Sequence, residues 1–321
     1  MRKNRGKFVL LILLSLIAVA LYMTVNVRFD NPRLLAYAMH LRFTKVVVML
    51  LVAFCIGAAS LVFQSVINNT IVTPCLLGMN SLYTLVHTAV VFFLGSGSVL
   101  ASSANAAFVA DLLIMGVTAT FIYSYMFKKT RYNVLYVLLI GTVLTSFFSS
   151  IQTTLVRVMD PNEYESLLVT LVASFSNVNG EVIALSIVIL AVVMFALRRD
   201  LAVLDVITLG KDQAINLGVD YDKTVKRLLL GVVLLISVAT ALVGPISFLG
   251  LIIANLARQL LKTYRHSQLI AGTVLIGVVL LIGGQFIVEQ VFTYAIPISV
   301  FITVGGGVYF LYLLLTQKRR A

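Results

Sequence analysis

Residues 46–78 read VVVMLLVAFCIGAASLVFQSVINNTIVTPCLLG and contain no charged side chain. The uncharged run continues as far as Asp111. It is therefore much longer than the roughly 20 apolar residues that one membrane-spanning helix needs. Turn-forming residues divide the run at positions 68–70 with Pro74, and again at positions 95–98. The stretch predicts two membrane-spanning helices, near residues 46–67 and 76–95, with a break before the second.

The composition of the whole chain agrees with a membrane protein. Of the 321 residues, 60% are hydrophobic and only 11% are charged, and the mean hydropathy is +1.06. A soluble domain carries about 25% charged residues, so a water-soluble fold is excluded. The sequence predicts an all-α polytopic membrane protein with one transmembrane domain over residues 1–321. Its ten predicted spans lie near residues 8–26, 46–67, 76–95, 105–127, 134–157, 181–197, 226–244, 246–261, 268–289 and 297–315.

The distribution of basic residues predicts the orientation. Cytoplasmic loops are enriched in Lys and Arg, and ten spans place both termini on the same side of the membrane. With both termini in the cytoplasm, 19 of the 24 basic residues lie inside. The five outside are Arg28, Arg33, Arg42, Lys45 and Arg157. This asymmetry favours cytoplasmic termini.

No nucleotide, metal or catalytic motif is found in the sequence. The phosphate-binding loop of an ATPase ends in Gly-Lys followed by Ser or Thr, whereas Gly210 and Lys211 are followed by Asp212. The three histidines and two cysteines lack metal-ligand spacing. The chain is therefore expected to bind no cofactor itself and not to be an enzyme.

Ionisable residues inside membrane spans are often functional because a charge in lipid is costly, and His87 and Asp111 are the candidates considered. His87 lies in the third span, and Asp111 lies near the start of the fourth. A proton- or sodium-coupled secondary transporter could use such groups. Alternatively, Asp111 lies near a membrane interface and His87 bonds a neighbouring helix.

Helix-breaking residues interrupt an apolar segment in each half of the chain. Gly244 and Pro245 precede the short span 246–261, and Pro74 and Gly78 precede the span 76–95. Broken apolar helices are typical of transport pathways, although ordinary loop turns are the alternative. The polar segment 160–180 is too short to span and predicts an interfacial helix or a partly re-entrant loop.

The longest predicted inward loop runs from Arg198 to Arg227 and carries charges of both signs. Its apolar residues recur at helical spacing, which predicts a pair of short helices with one apolar side. These residues are Leu204, Ile207, Leu209, Ala214 and Leu217. Such a surface suits docking onto a partner protein. A solvated loop without a partner is the alternative.

Part of this loop carries a resemblance to a known family. Leu209-Gly210, Ala214 and Leu217-Gly218-Val219 resemble the coupling loop of the permease subunits of iron-siderophore and vitamin B12 ABC importers. Four further blocks agree in order and together cover nearly the whole chain. They are LRFTK at residues 41–45; Gly57, Gln64, Asn68 or Asn69, Pro74 and Leu77-Gly78; GPISFLGLI at residues 244–252; and Pro297 through Gly305 to FLYLL at residues 310–314.

The departures from the family pattern indicate a branch. This chain has Ala254-Asn255 where the family commonly has Pro-His, and Thr44 and Lys45 replace Pro and Arg. Gly307 stands where Pro is common. These differences separate the chain from the vitamin B12 members. It is similar to the catecholate or petrobactin-type siderophore branch.

The resemblance implies a type II ABC importer permease fold and the transport of ferric siderophore across the bacterial cytoplasmic membrane. The implied partners are ABC ATPase subunits that bind ATP, a second identical or paralogous permease, and an extracellular or periplasmic siderophore-binding protein. The implied roles are ATPase coupling for Leu209, Gly210, Ala214, Leu217 and Gly218, binding-protein docking for Arg42 and Lys45, and translocation pathway for Asn80, Ser81, Pro245, Ser247 and Asn255. For Arg42 and Lys45, interfacial snorkelling is the alternative.

Overall fold

The computed structural model of the chain describes residues 2–27, 31–98, 104–130, 134–175, 180–293 and 296–317. Within these ranges there are helices and connecting turns and no β-strand. The longer helices are α1 (Arg2–Thr24), α2 (Pro32–Val66), α3 (Met79–Leu94), α4 (Ala104–Lys129), α5 (Val134–Val158), α7 (Gly180–Ala202), α10 (Tyr221–Val243), α11 (Leu249–Leu261), α12 (His266–Gln290) and α13 (Ile298–Gln317). The others are a 3₁₀ turn (Pro74–Leu77), α6 (Pro161–Leu171), α8 (Leu204–Ile207) and α9 (Lys211–Asn216). The predicted all-α class is confirmed.

Membrane-spanning character follows from helix length and composition. Among the described residues, seven helices are long and apolar enough to cross a membrane: α1, α2, α4, α5, α7, α10 and α12. Helices α3, α11 and α13 are also apolar but have shorter apolar stretches. Each predicted span falls on one of these helices. Five of the basic residues on which the predicted orientation rests lie outside the described residues: Arg28, Arg131, Lys318, Arg319 and Arg320.

Helix α2 begins well before the predicted span 46–67. Arg42 and Lys45 end the apolar run, but Arg and Lys are good helix formers and do not end a helix. The start is set by Asn31, whose side-chain oxygen accepts a hydrogen bond from the backbone N–H of Arg33 at 3.0 Å, and by Pro32 in the first turn. At 1.5 Å per residue, the helix is about 52 Å long and exceeds the hydrocarbon core of about 30 Å.

Helices α2 and α10 form the centre of the protein. Most residues of α2 from Val46 to Val66 are buried, and α2 packs against α10, α11 and α12. Glycines bring α2 and α12 close together, since a Cβ at Gly57 would lie 3.2 Å from Thr273 Cγ2 and one at Gly277 would lie 3.2 Å from the Ala53 Cβ. Small residues allow such close approach between apolar helices, where dispersion contacts provide much of the attraction.

The polar segment 160–180 contains the short helix that the sequence predicts. Helix α6 begins at Pro161, and the side chain of Asp160 accepts a hydrogen bond from the Asn162 backbone N–H at 2.9 Å. Helix α6 packs against α3, and Ser96 donates its backbone N–H to the Glu163 carboxylate at 2.6 Å. Residues 176–179 of this segment lie outside the described part of the chain.

Candidate functional site

The first part of the site is the break between α10 and α11. Gly244 ends α10 with a φ of +88°, and Phe248 precedes α11 with a φ of +62°, so both adopt the left-handed region. The intervening residues are unwound, and α11 begins at Leu249. Helix α11 therefore starts three residues after the predicted beginning of the span near residue 246, because the break after Pro245 extends through Phe248.

Backbone groups freed by this break find partners in the chain. Gly244 donates its N–H to Thr240 O at 2.7 Å, and Ser174 donates its N–H to Val243 O at 2.9 Å. A Cβ at Gly244 would lie 3.1 Å from the Ala173 Cα, so the segment after α6 packs directly on the break. A broken helix inside a membrane needs such partners, because lipid offers none.

The second break precedes α3. The 3₁₀ turn Pro74–Leu77 ends at Gly78, which has a φ of +94°. A Cβ at Gly78 would lie 2.9 Å from Thr145 Oγ1, so only glycine lets α5 approach this closely. Tyr123 on α4 donates its hydroxyl hydrogen to the freed Leu77 carbonyl at 2.7 Å. The break is thus held by α4 and α5.

The two breaks meet through predicted pathway residues. Asn80 Nδ2 donates to Ser247 Oγ at 3.0 Å. Ser149 on α5 donates to Ser81 Oγ at 3.3 Å. The Asn80 Oδ1 is buried and has no hydrogen-bond partner within the described residues. Four of the five pathway candidates therefore lie at one junction, since Pro245 belongs to the same unwound segment as Ser247.

Asn255 lies apart from this junction. Its side chain is buried on α11 and donates to Thr70 O at 2.8 Å and to Leu251 O at 3.0 Å. Gln64 donates to the same Thr70 carbonyl at 2.8 Å. Asn255 thus holds the turn that follows α2, and the structure does not bring it to the Asn80–Ser247 contact.

The predicted pair of short helices in the loop from Arg198 to Arg227 is confirmed as α8 and α9. Gly210 and Gly218 flank α9 with φ values of +104° and +81°, a conformation that other residues adopt with strain. Ala214 is fully buried and holds α9 against the protein. Leu209 and Leu217 are 53% and 61% exposed. The predicted coupling residues therefore have three structural roles. Ala214 is buried, Gly210 and Gly218 form the turns on either side of α9, and Leu209 and Leu217 are exposed.

Internal contacts fix this segment. The Asp205 carboxylate accepts a hydrogen bond from the backbone N–H of His266 at 2.9 Å and also bonds the His266 imidazole. Lys211 and Asp222 form an exposed ion pair at 2.8 Å. The segment thus has a defined shape that presents Leu209 and Leu217 outward.

The side chains of Arg42 and Lys45 both have partners within the chain. Arg42 donates to Tyr22 O at 2.7 Å and to Val25 O at 2.8 Å. Lys45 forms an ion pair with Glu289 at 2.9 Å, with side-chain exposures of 14% and 6%. The Glu289 carboxylate also accepts hydrogen bonds from Tyr22 at 2.9 Å and Gln285 at 2.8 Å. These contacts join α1, α2 and α12.

His87 and Asp111 bond each other. His87 Nδ1 and Asp111 Oδ2 are 2.9 Å apart, and both side chains are buried between α3 and α4. Tyr83 stacks on the imidazole, with ring centroids 5.8 Å apart and an interplanar angle of 18°. His87 therefore bonds a neighbouring helix, as one of the two sequence-based interpretations expects.

Sequence reasoning missed two residues that the structure makes prominent. Glu289 is the acidic residue of α12, and a single acid in an apolar span is a detectable signal. Ile215 is 50% exposed beside Leu217 and adds to the apolar surface of α9. The helical spacing of apolar residues could not show whether Ile215 is buried or exposed, because its short helix ends one residue later.

Two interrupted helices that meet within a bundle of long apolar helices define a class of protein, the polytopic membrane transport proteins. The sequence matches the FecCD transport family over residues 7–316, and the chain belongs to this family. The resemblance predicted from the ordered motifs is confirmed. The family also confirms a transport subunit instead of an enzyme.

Individual relatives and one solved structure are consistent with this family. The chain is 40% identical to the petrobactin import system permease protein YclO of Bacillus subtilis, over 99% of each chain. It is 29% identical to the petrobactin import system permease protein FatC of Bacillus anthracis, over 98% of this chain and 91% of that protein. A solved inward-facing metal-chelate type ABC transporter covers 97% of this chain and 99% of its own, with a TM-score of 0.81 and 22% identity. At this identity the likeness shows the fold alone.

Proposed function

We propose that this chain is the permease subunit of an ABC importer that carries ferric siderophore of the petrobactin type across the bacterial cytoplasmic membrane. The observation that carries the proposal is the agreement over nearly the full length with two petrobactin import permeases. ATP is bound and hydrolysed by separate ATPase subunits. A second identical or paralogous permease completes the pathway, and an extracellular or periplasmic binding protein delivers the siderophore.

The chain forms one transmembrane domain over residues 1–321, crosses the membrane ten times and has both termini in the cytoplasm. The seven long and three shorter apolar helices support this count. The excess of basic residues on one side supports the orientation.

The coupling segment (residues 200–225) receives the ATPase. Leu209 and Leu217, together with Ile215, supply exposed apolar contacts, while Ala214 anchors α9 from within. Gly210 and Gly218 set the direction of α9 through their positive φ values. The apolar side chains would lose water on docking, and this is the main favourable term in most protein associations.

The junction of the two helix breaks belongs to the translocation pathway. Asn80 and Ser247 form a contact between the two halves of the chain. Asn80 Oδ1 has no hydrogen-bond partner in the described part of the chain and can accept a hydrogen bond from water or from a passing ligand. Ser81 and Pro245 adjoin them, and Asn255, in the middle of α11, supports the turn after α2.

The coupling proposal is tested with Leu217→Asp in cells that express the whole importer. This change removes exposed apolar surface, so we expect about tenfold weaker retention of the ATPase in a pull-down and a matching loss of radioiron-siderophore uptake. Asn216→Asp is the control, because it adds the same charge at a neighbouring exposed position without removing apolar surface. Full ATPase retention by Leu217→Asp would contradict the proposal.

A second variant tests the turn rather than the contact. A Cβ at Gly218 meets no atom within 4 Å, so the main cost of Gly218→Leu is the positive φ of 81°. We expect the variant to insert into the membrane and to hydrolyse ATP with its partner subunits, while uptake falls. Unaltered uptake would count against a coupling role for this turn.

A further inference from the structure

An apolar groove runs along the surface of the protein between α4, α7 and α10. Its volume is about 740 Å³. This volume falls within the range of about 300–1,000 Å³ that is typical of ligand sites. Its walls include Leu112, Val117 and Phe121 from α4, Ile189 from α7 and Leu234 from α10. Neither the proposed pathway nor the coupling segment uses this groove.

The groove faces away from the protein interior. Leu113, Val117 and Phe121 recur four residues apart on α4 and are 60%, 69% and 76% exposed. Such a stripe on a membrane-spanning helix is accessible to lipid in the single chain. The lining extends along α4 from Leu112 to Lys128, which is about 24 Å at the helical rise. This length exceeds half of a hydrocarbon core of about 30 Å, so an extended acyl chain fits along it.

Two lysines line this apolar groove. Lys128 lies in the last turn of α4, and Lys226 lies near the start of α10. Neither has an ion pair with a carboxylate among the described residues, whereas nearby Lys211 pairs with Asp222 and Arg227 with Asp200. The groove therefore combines a long apolar surface with two positive charges that no carboxylate among the described residues pairs with.

We propose that the groove binds one anionic phospholipid, with its phosphodiester group between Lys128 and Lys226 and an acyl chain along α4. Basic pockets between membrane helices bind anionic headgroups in this way. A zwitterionic lipid offsets its phosphate charge with its own cationic group and gains less from the lysines. In the proposed orientation the site opens to the cytoplasmic leaflet.

The test measures lipid retained by the purified full-length chain, using native mass spectrometry with phosphatidylglycerol or with phosphatidylcholine of the same acyl chains. We expect Lys128→Gln with Lys226→Gln to lower the preference for phosphatidylglycerol about 30-fold, since each lysine near a membrane surface contributes about five- to sixfold. The control is Lys129→Gln with Lys223→Gln, which removes the same charge from exposed lysines that do not line the groove.

A third variant blocks the apolar part while keeping both lysines. A Cβ at Gly116 meets only Leu234 Cδ2, at 3.8 Å, so Gly116→Leu fills the groove without a backbone clash. We expect it to lower the retention of both lipids. Three results would overturn the proposal: equal binding of the two lipids by the parent chain, equal losses in the two lysine pairs, or cross-linking of position 117 to a protein partner in the assembled importer. The measurement involves no transport, so its failure leaves the proposed importer function standing.

Discussion

At the scale of single residues, the contact between His87 and Asp111 bears on how transport is driven. Both side chains are buried between two membrane helices, where a lone charge would be costly. Each gives the other a hydrogen-bond partner, so their burial has a structural explanation. An ATP-driven importer needs nothing further from this pair, whereas a proton-coupled carrier would need Asp111 to ionise.

We predict that Asp111→Asn keeps siderophore uptake within about twofold of the parent. The amide retains an acceptor for the imidazole, and interhelical hydrogen bonds in membranes contribute only about 0.6 kcal/mol on average. Asp111→Leu leaves the imidazole unpaired and should cost about 1–3 kcal/mol in thermal unfolding of the purified protein. A folded Asp111→Asn protein that has lost uptake would instead favour the secondary transporter.

A second residue-scale prediction separates the internal role of Lys45 from binding-protein docking. Lys45→Glu places two carboxylates together and should lower the stability by about 3 kcal/mol. Adding Glu289→Lys exchanges the partners and restores the ion pair, but the hydrogen bonds from Tyr22 and Gln285 lose their acceptor. If Lys45 also docks the binding protein, the double variant recovers part of its thermal midpoint but not its association in a pull-down.

The control for this exchange is Arg33→Glu, which makes the same charge change at an exposed position near the start of α2. It should affect neither the thermal midpoint nor association by more than a small amount, because surface charges contribute little. Recovery of association together with stability in the double variant would remove Lys45 from the docking surface.

At the scale of elements, the packing of α13 on the α10–α11 break depends on one glycine. A Cβ at Gly306 would overlap the Cβ of Phe248, which itself has a positive φ. Phe248 also contacts the ring of Phe310, with centroids 6.1 Å apart. Helix α13 therefore fixes the unwound segment that carries Ser247.

We predict that Gly306→Ala lowers the stability of the purified chain by about 1–3 kcal/mol, as overpacking does. Gly307→Ala is the matched control, because a Cβ at that position meets no atom within 4 Å. It should leave the thermal midpoint unchanged or raise it, since Ala favours the helix over Gly by about 1 kcal/mol. Equal midpoints for the two variants would contradict the packing described here.

At the scale of the whole molecule, the orientation fixes which side meets the ATPase and which side meets the binding protein. The coupling segment and helix α6 lie on opposite sides in the proposed topology. Asn216 and Glu165 are both exposed, so each can be replaced by a cysteine without disturbing a buried contact.

We predict that a membrane-impermeant maleimide labels Glu165→Cys in cells whose cytoplasmic membrane is intact, but labels Asn216→Cys only after that membrane is permeabilised. The parent chain, with its buried Cys55 and half-buried Cys75, measures the background. Labelling of Asn216→Cys in cells with an intact membrane would overturn the proposed topology and the ATPase contact together.

The sequence by itself determined the membrane class, the approximate position of each long helix, the short helices between Arg198 and Arg227, and the family. Each of these depends on local features: the length of an apolar run, the turn residues that end it, or the order of motifs along the chain. The predicted helix boundaries differ from the structure at two kinds of position. One is where a helix continues through a charged residue, as at Lys45, and the other is where a break extends past its proline, as at Phe248.

Only the tertiary structure decided which residues meet. The contacts His87–Asp111, Lys45–Glu289 and Asn80–Ser247 join residues separated by 24, 244 and 167 positions. It also decided that α2 lies at the centre while most of α1 faces outward. The physical reason is that lipid and protein interior are equally apolar, so hydropathy locates a membrane helix without indicating which of its faces packs against a neighbour.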